Sequence, residues 1–144
     1  MYRSRKVTKQ YNPDKKRQEH SAGGVACPFC VLRGNNIIVH DGETMRVVKN
    51  LFGYKLWELM DVKEHLMIVP KRHVESISEF TKQEKDEMIE LLAEYEKKGY
   101  NIYARESGNA IKSVPHQHTH LIKTHRKRAK FFIFSHKPYF IWKV

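Results

Sequence analysis

The chain has 144 residues, with 27 Lys+Arg against 16 Asp+Glu and a formal charge of +11. That length fits one domain able to bury a core without disulfides, and 40% apolar with 30% charged residues excludes fibrous and collagenous classes. No run approaches the roughly 18–20 apolar residues of a membrane span, and the basic, polar start lacks the apolar stretch of a secretory signal, so the expected setting is cytoplasmic with no membrane partner.

Residues 1–22 read as a basic flexible arm, with Arg3, Arg5, Lys6, Lys9, Lys15, Lys16 and Arg17 against Asp14 and Glu19 and no apolar periodicity. Residues 23–144 read as a single domain. It begins with the two cysteines of the chain, Cys27-Pro-Phe-Cys30. Two intervening residues let both sulfurs face one centre, which suggests half of a metal site or a redox pair, against the plainer reading of two neighbouring buried thiols. Residues 36–40 and 44–50 are β-branched-rich runs separated by Asp41-Gly42, a hairpin signal. Residues 51–63 read as a loop or short turn carrying Tyr54 and Trp57, and His65-Leu-Met-Ile-Val-Pro70 as a buried strand stopped by proline.

Thr81-Lys-Gln-Glu84 predicts the start of a long helix through a capping box, Met88, Leu91, Leu92 and Tyr95 its apolar stripe, and Gly99 its stop. Residues 100–106 read as a strand with Ile102 and Ala104 on one face, 107–113 as a turn-rich loop, and 114–122 as a further strand. From about 123 the chain reads as a basic and aromatic C-terminal extension: Lys123, Arg126, Lys127, Arg128 and Lys130, then 131–142. The expected fold class is α+β, an antiparallel sheet of about five strands with one long helix and short helical turns.

The chain has nine histidines, three of them in His116-Gln117-His118-Thr119-His120. On a strand these three share a face, with neighbours about 6.5–7 Å apart, and burying them together calls for a metal ion or an anionic ligand between them. Two chemistries compete. The imidazoles could hold a catalytic zinc whose bound water attacks, or a neutral imidazole could attack phosphorus while its neighbours bind the oxygens. Ser113 as a hydroxyl donor, Lys112 as a cation and the Ser107-Gly108-Asn109 loop favour the second.

These pieces, with the Cys27–Cys30 knuckle, the segment from His65 to His73, the helix after it, and Ser113-Val-Pro-His116-Gln-His118-Thr-His120-Leu-Ile122 in that order, resemble the histidine-triad nucleotide hydrolases and transferases, and within them the zinc-containing bacterial-type branch. The likeness spans residues 27 to 122 and implies a histidine-triad-like fold. It also implies that His118 is the nucleophile, forming a nucleotidyl-histidine at an α-phosphate with its other nitrogen bonded to the carbonyl of His116. His120 and His65 would contact the phosphate, Ser113 the leaving group, and water would then release a nucleoside monophosphate. It further implies a structural zinc on Cys27, Cys30, His73 and His116, and no redox cofactor.

The sequence departs from the family pattern at Gln117 and Thr119, where apolar residues are usual, and at Lys112, which replaces a glutamine and favours a more anionic substrate. Residues 50–65 run longer than in small family members, with Asn50 and Asp61 as candidates for ribose contact. The expected substrates are dinucleoside polyphosphates, nucleoside phosphoramidates or related nucleotide conjugates, handled by a homodimer as the resemblance implies. A triad-zinc metallohydrolase, and a nucleotide-binding or deadenylating module that engages nucleic acid through the basic ends, stand as alternatives.

Overall fold

The computed structural model describes residues 27–128 except 33 and 35, together with the backbone of 134–136 and 139–141. The basic arm and most of the aromatic tail therefore lie outside the described residues. Eight strands, a 3₁₀ turn at Ile77–Glu79 and one long helix follow in order: β1 (Ile38–Asp41), β2 (Met45–Lys49), β3 (Leu56–Trp57), β4 (Met60–Pro70), α1 (Lys82–Lys97), β5 (Asn101–Ala104), β6 (Thr119–Arg128), β7 (Phe134–His136) and β8 (Tyr139–Ile141). Six strands make an antiparallel sheet in the order β1-β2-β4-β6-β5, with β3 added to β4, while β7 and β8 pair separately. This is the expected α+β class with one strand more than expected in its sheet. No helix among the described residues is long and apolar enough to cross a membrane.

The helix follows its sequence signals. The Thr81 side chain accepts from Glu84 N and the Glu84 carboxylate accepts from Thr81 N, satisfying two amide donors left over at the helix start. At the other end Gly99 adopts φ +84°, and Tyr100 N donates to Tyr95 O at 3.1 Å, closing the helix with a left-handed residue that only glycine adopts without strain. Met88, Leu91 and Tyr95 pack onto the sheet with Met45, Val47, Leu66, Ile68 and Leu121 in the main core.

Strand alternation assigns the remaining residues to the opposite face. Register pairs Val48 with Met67, Met67 with His120, and His120 with Tyr103. On this face Val48, Met67 and Val69 form a second cluster, covered by Phe29, Leu32, Ile37 and Ile38 from the N-terminal side. The sheet thus separates a helix-covered core from a face that carries histidine and aromatic side chains.

Several segment boundaries differ from the sequence reading. Residues 51–63 are not all loop: β3 and the first two residues of β4, Met60 and Asp61, form a hairpin through Glu58 and Leu59, at φ 49° and 62°. Two residues at positive φ are what a tight hairpin needs, but neither is Gly or Asn, so the turn carries no composition signal. The strand expected from 114 starts at Thr119, leaving His116, at a bend, and His118 in the irregular segment before it. The same strand runs on to Arg128, so the basic run that looked like an extension continues the sheet. Gly42 serves its turn by absence of bulk, since a Cβ there would lie 2.0 Å from Glu87 Oε1.

Candidate functional site

The knuckle, the segment after β4 and the first triad histidine converge. Cys27 Sγ lies 3.4 Å and Cys30 Sγ 3.5 Å from His116 Nδ1, and Cys30 Sγ lies 3.3 Å from His73 Nδ1. The four ligand atoms all sit within 4.8 Å of one another. Ligands at ordinary zinc–sulfur and zinc–nitrogen distances on a tetrahedron stand about 3.6 Å apart, close to these separations. The ring of His116 is wholly buried, and its Nε2 is 3.0 Å from Pro70 O. A carbonyl only accepts, so Nε2 carries the hydrogen and Nδ1 keeps its lone pair toward the sulfurs, the tautomer a metal ligand requires. Burial pushes the Cys30 thiol up to about 11, helped by its hydrogen bond to Cys27 and by that neighbour's charge. A divalent cation bound among the four would reverse that, since it binds thiolate. The donor set fits zinc.

His118 uses the same rule in the other direction. Its Nδ1 donates to His116 O at 2.8 Å, which leaves the Nε2 lone pair exposed on the far side of the ring. Burial, ahead of the charges of Lys112 and Arg105, holds this imidazole down at about 4, hence neutral near pH 7.

His65 and His120 form an ordered pair. The backbone N–H of Tyr54 donates to His65 Nδ1 at 3.0 Å, which places the hydrogen of that ring on Nε2, and Nε2 lies 3.0 Å from His120 Nδ1 and 3.1 Å from Asn50 Nδ2. His120 is thereby left with its hydrogen on Nε2. Tyr54 packs on both rings, at 4.7 Å from His65 and 5.7 Å from His120, and Tyr103 stacks on His120 at 5.9 Å and 19°.

A cavity opens on this face of the sheet. Asn50, Arg105, Ser113, His118 and His120 line one part of it, and Phe29, Leu32, Ile37 and Phe52 supply apolar wall. Phe29, inside the cysteine knuckle, contacts both His116 at 5.6 Å and His118 at 5.3 Å. The knuckle therefore supplies two of the four candidate metal ligands and a side of the cavity.

Of the residues singled out from sequence, Asn50, Ser113, His118 and His120 meet at this cavity, and Cys27, Cys30, His73 and His116 meet beside it. His65 does not line the cavity; it stands behind His120. Asp61 pairs with Leu56 at the far end of β4 and is exposed, away from the cavity wall. Lys112 does not line it either. Its ammonium donates to Glu75 O at 2.8 Å and Gln117 Oε1 at 3.1 Å, inside the protein. The two departures at 112 and 117 are thus partners in one buried contact, which gives polar Gln117 a partner inside the protein. Thr119 is likewise buried, 2% exposed, on the helix side of the sheet.

Arg105 is the cation the sequence reading missed. It follows β5, eight positions before Ser113, and no spacing rule links a strand end to a loop that folds back over it.

The HIT domain family model matches residues 61–127. The match takes in 67 of the 144 residues, those that carry His65, His73 and the triad. The fold of the chain resembles a histidine triad nucleotide-binding protein from Sulfolobus tokodaii, at 21% identity, 81% of each chain covered and a TM-score of 0.53. It also resembles a HIT family hydrolase from Clostridium thermocellum, at 21% identity, with 74% of this chain and 96% of that chain covered and a TM-score of 0.52. At that identity the likeness is one of fold. No curated protein matches the chain.

Proposed function

We propose that this protein is a nucleotide hydrolase that works by nucleotidyl transfer, on dinucleoside polyphosphates, nucleoside phosphoramidates or related conjugates. The observation that carries the reading is the hydrogen bond from His118 Nδ1 to His116 O, which fixes the tautomer and presents an unprotonated Nε2 at the cavity. In the first step the Nε2 lone pair bonds to the α-phosphorus as the bond to the leaving group breaks, and the leaving atom keeps that electron pair. An amine leaving group takes a proton from the Ser113 hydroxyl, which is restored from the incoming water. His120 Nε2–H donates to a phosphate oxygen, oriented from behind by His65. In the second step water oxygen bonds to phosphorus, the P–N pair returns to His118, and a nucleoside monophosphate leaves. Asn50 is assigned to the ribose, and the apolar wall to the base. Cys27, Cys30, His73 and His116 would hold a structural zinc, whose contribution is to fix the knuckle and the carbonyl of His116.

Brief incubation with substrate labelled at the α-phosphate tests this. Label is expected on His118, and turnover is expected to fall by about 10³ or more in His118→Ala. Turnover at the parental rate in that variant would end the reading. The rival reading, in which the triad holds the catalytic metal, is disfavoured because among the described residues the clustered ligand atoms include His116 but neither His118 nor His120. We also take the protein to be a cytoplasmic homodimer. The β5 edge of the sheet, with Ile102 43% exposed, supports a paired state, and sedimentation at twice the chain mass is the check.

A further inference from the structure

We propose that Arg105, oriented by Tyr54, forms an anion subsite for the leaving group, so that a conjugate with phosphate on the leaving side is the preferred substrate. The proposal deepens the nucleotidyl-transfer reading and rests on it.

Arg105 lines the same cavity as Ser113, His118 and His120. Its guanidinium is held in two ways. Nη2 donates to the Tyr54 hydroxyl at 3.1 Å, and the group lies over the Tyr103 ring, 5.2 Å from its centroid. Tyr103 in turn stacks on His120, whose ring meets that of His118 edge-on at 5.1 Å. The cation is thus the outer member of a packed series that ends at the attacking ring, and much of the ordering cost of a long side chain is met before substrate arrives. Lys112 is turned inward to Glu75 and Gln117, and Lys49, the other cation of the wall, sits beside Asn50 at the end of β2. Among the described residues, the positive group beside the triad is Arg105.

The chemistry of departure gives that placement a consequence. An amine leaves with an electron pair that must be protonated, which is a task for Ser113. A phosphate leaves as an anion: the Nε2–P bond forms, the P–O bond breaks, the pair stays on the leaving oxygen, and no proton is needed near pH 7. A guanidinium whose planar fork matches phosphate oxygens stabilises that developing charge. It does little for an amine.

The test uses two substrates with the same adenylyl group, diadenosine tetraphosphate and an adenosine phosphoramidate with a neutral aromatic amine, on the metal-loaded full chain. In Arg105→Met, kcat/KM is expected to fall about 100-fold on the tetraphosphate and at least tenfold less on the phosphoramidate. Arg105→Lys should recover part of the loss, and Tyr54→Phe should give an intermediate, same-signed bias. An equal fall on both substrates, or no fall, would overturn the proposal. A binding arm separates it from the reading beneath it. In His118→Ala, ADP is expected to bind about tenfold more tightly than AMP, and the preference should vanish when Arg105→Met is added. If wild type releases no AMP from either conjugate, the hydrolase reading fails while the ADP-to-AMP ratio still decides the subsite. A ratio unchanged by Arg105→Met would sink it.

Discussion

His118 donates its Nδ1 hydrogen to the carbonyl of His116 across 2.8 Å, while the ring of His116 turns the other way, its Nε2 on Pro70 O and its Nδ1 on the two cysteines. One residue therefore belongs to the Cys/His cluster by its side chain and to the triad by its backbone. Whatever steadies the cluster steadies the carbonyl that sets the His118 tautomer.

Metal loss is accordingly expected to reach the cavity. The purified protein should carry one equivalent of zinc, and cobalt substituted for it should show the near-ultraviolet charge-transfer band of thiolate ligands, weakened in Cys30→Ser. Chelation should lower the melting temperature by about 5–15 °C. It should also weaken AMP binding, since Phe29 forms cavity wall from within the knuckle. Full AMP affinity in the metal-free protein would separate the two sites.

The Lys112 ammonium holds the segment before the triad against the turn after β4, through Glu75 O and Gln117 Oε1, while Gln117 N donates to Val74 O at 2.6 Å. Lys112→Met removes the donor and leaves two acceptors, the buried Gln117 Oε1 and the part-buried Glu75 O, without it. The expected loss is about 1–3 kcal/mol, read as a lower urea midpoint at unchanged slope. Adding Gln117→Leu removes one orphaned acceptor, so the double variant should recover part of that loss. A double variant weaker than the sum of the singles would count against the pairing.

Glu87 ties the β1–β2 turn to α1, accepting from Glu43 N at 3.0 Å, Thr44 N at 2.7 Å and the Thr44 hydroxyl. Burial pushes its carboxyl up, but these bonds outweigh it and the net shift is downward. A carboxyl lowered by folding adds stability above its ordinary value near pH 4.5, and that stability is lost as pH falls through the lower folded value. Urea midpoints from pH 7 to 3 should therefore place Glu87→Gln below wild type at neutrality, with the gap closing under acid. A gap constant with pH would mean that the carboxylate charge is not what grips the turn.

Local signals in the sequence carried far where the physics is local. The Thr81 box, the Gly99 stop and the apolar stripe between them depend on residues within one helical turn of each other, and all three read directly. The likeness to histidine-triad proteins likewise rests on contiguous motifs, so the class of fold and the two groups of candidate ligands were legible together. The Glu58-Leu59 turn was not, because its residues lack the composition that usually marks positive φ, and the strands either side of it were hidden with it. Nor was the partition among the polar residues. Lys112 and Arg105 are both cations within ten positions of Ser113, and nothing in their spacing says which one faces inward.

The amino-acid order by itself determined the helix and the strand-rich remainder, because those follow from periodicity and capping, while the grouping of histidines and cysteines came from the resemblance to histidine-triad proteins. Only the tertiary structure decided that Lys112 turns inward to Glu75 O and Gln117 Oε1, that His65 stands behind His120, and that Arg105 stands at the cavity. Hydrogen-bond direction and burial depend on which distant backbone atoms arrive alongside a side chain, and chain order does not record that.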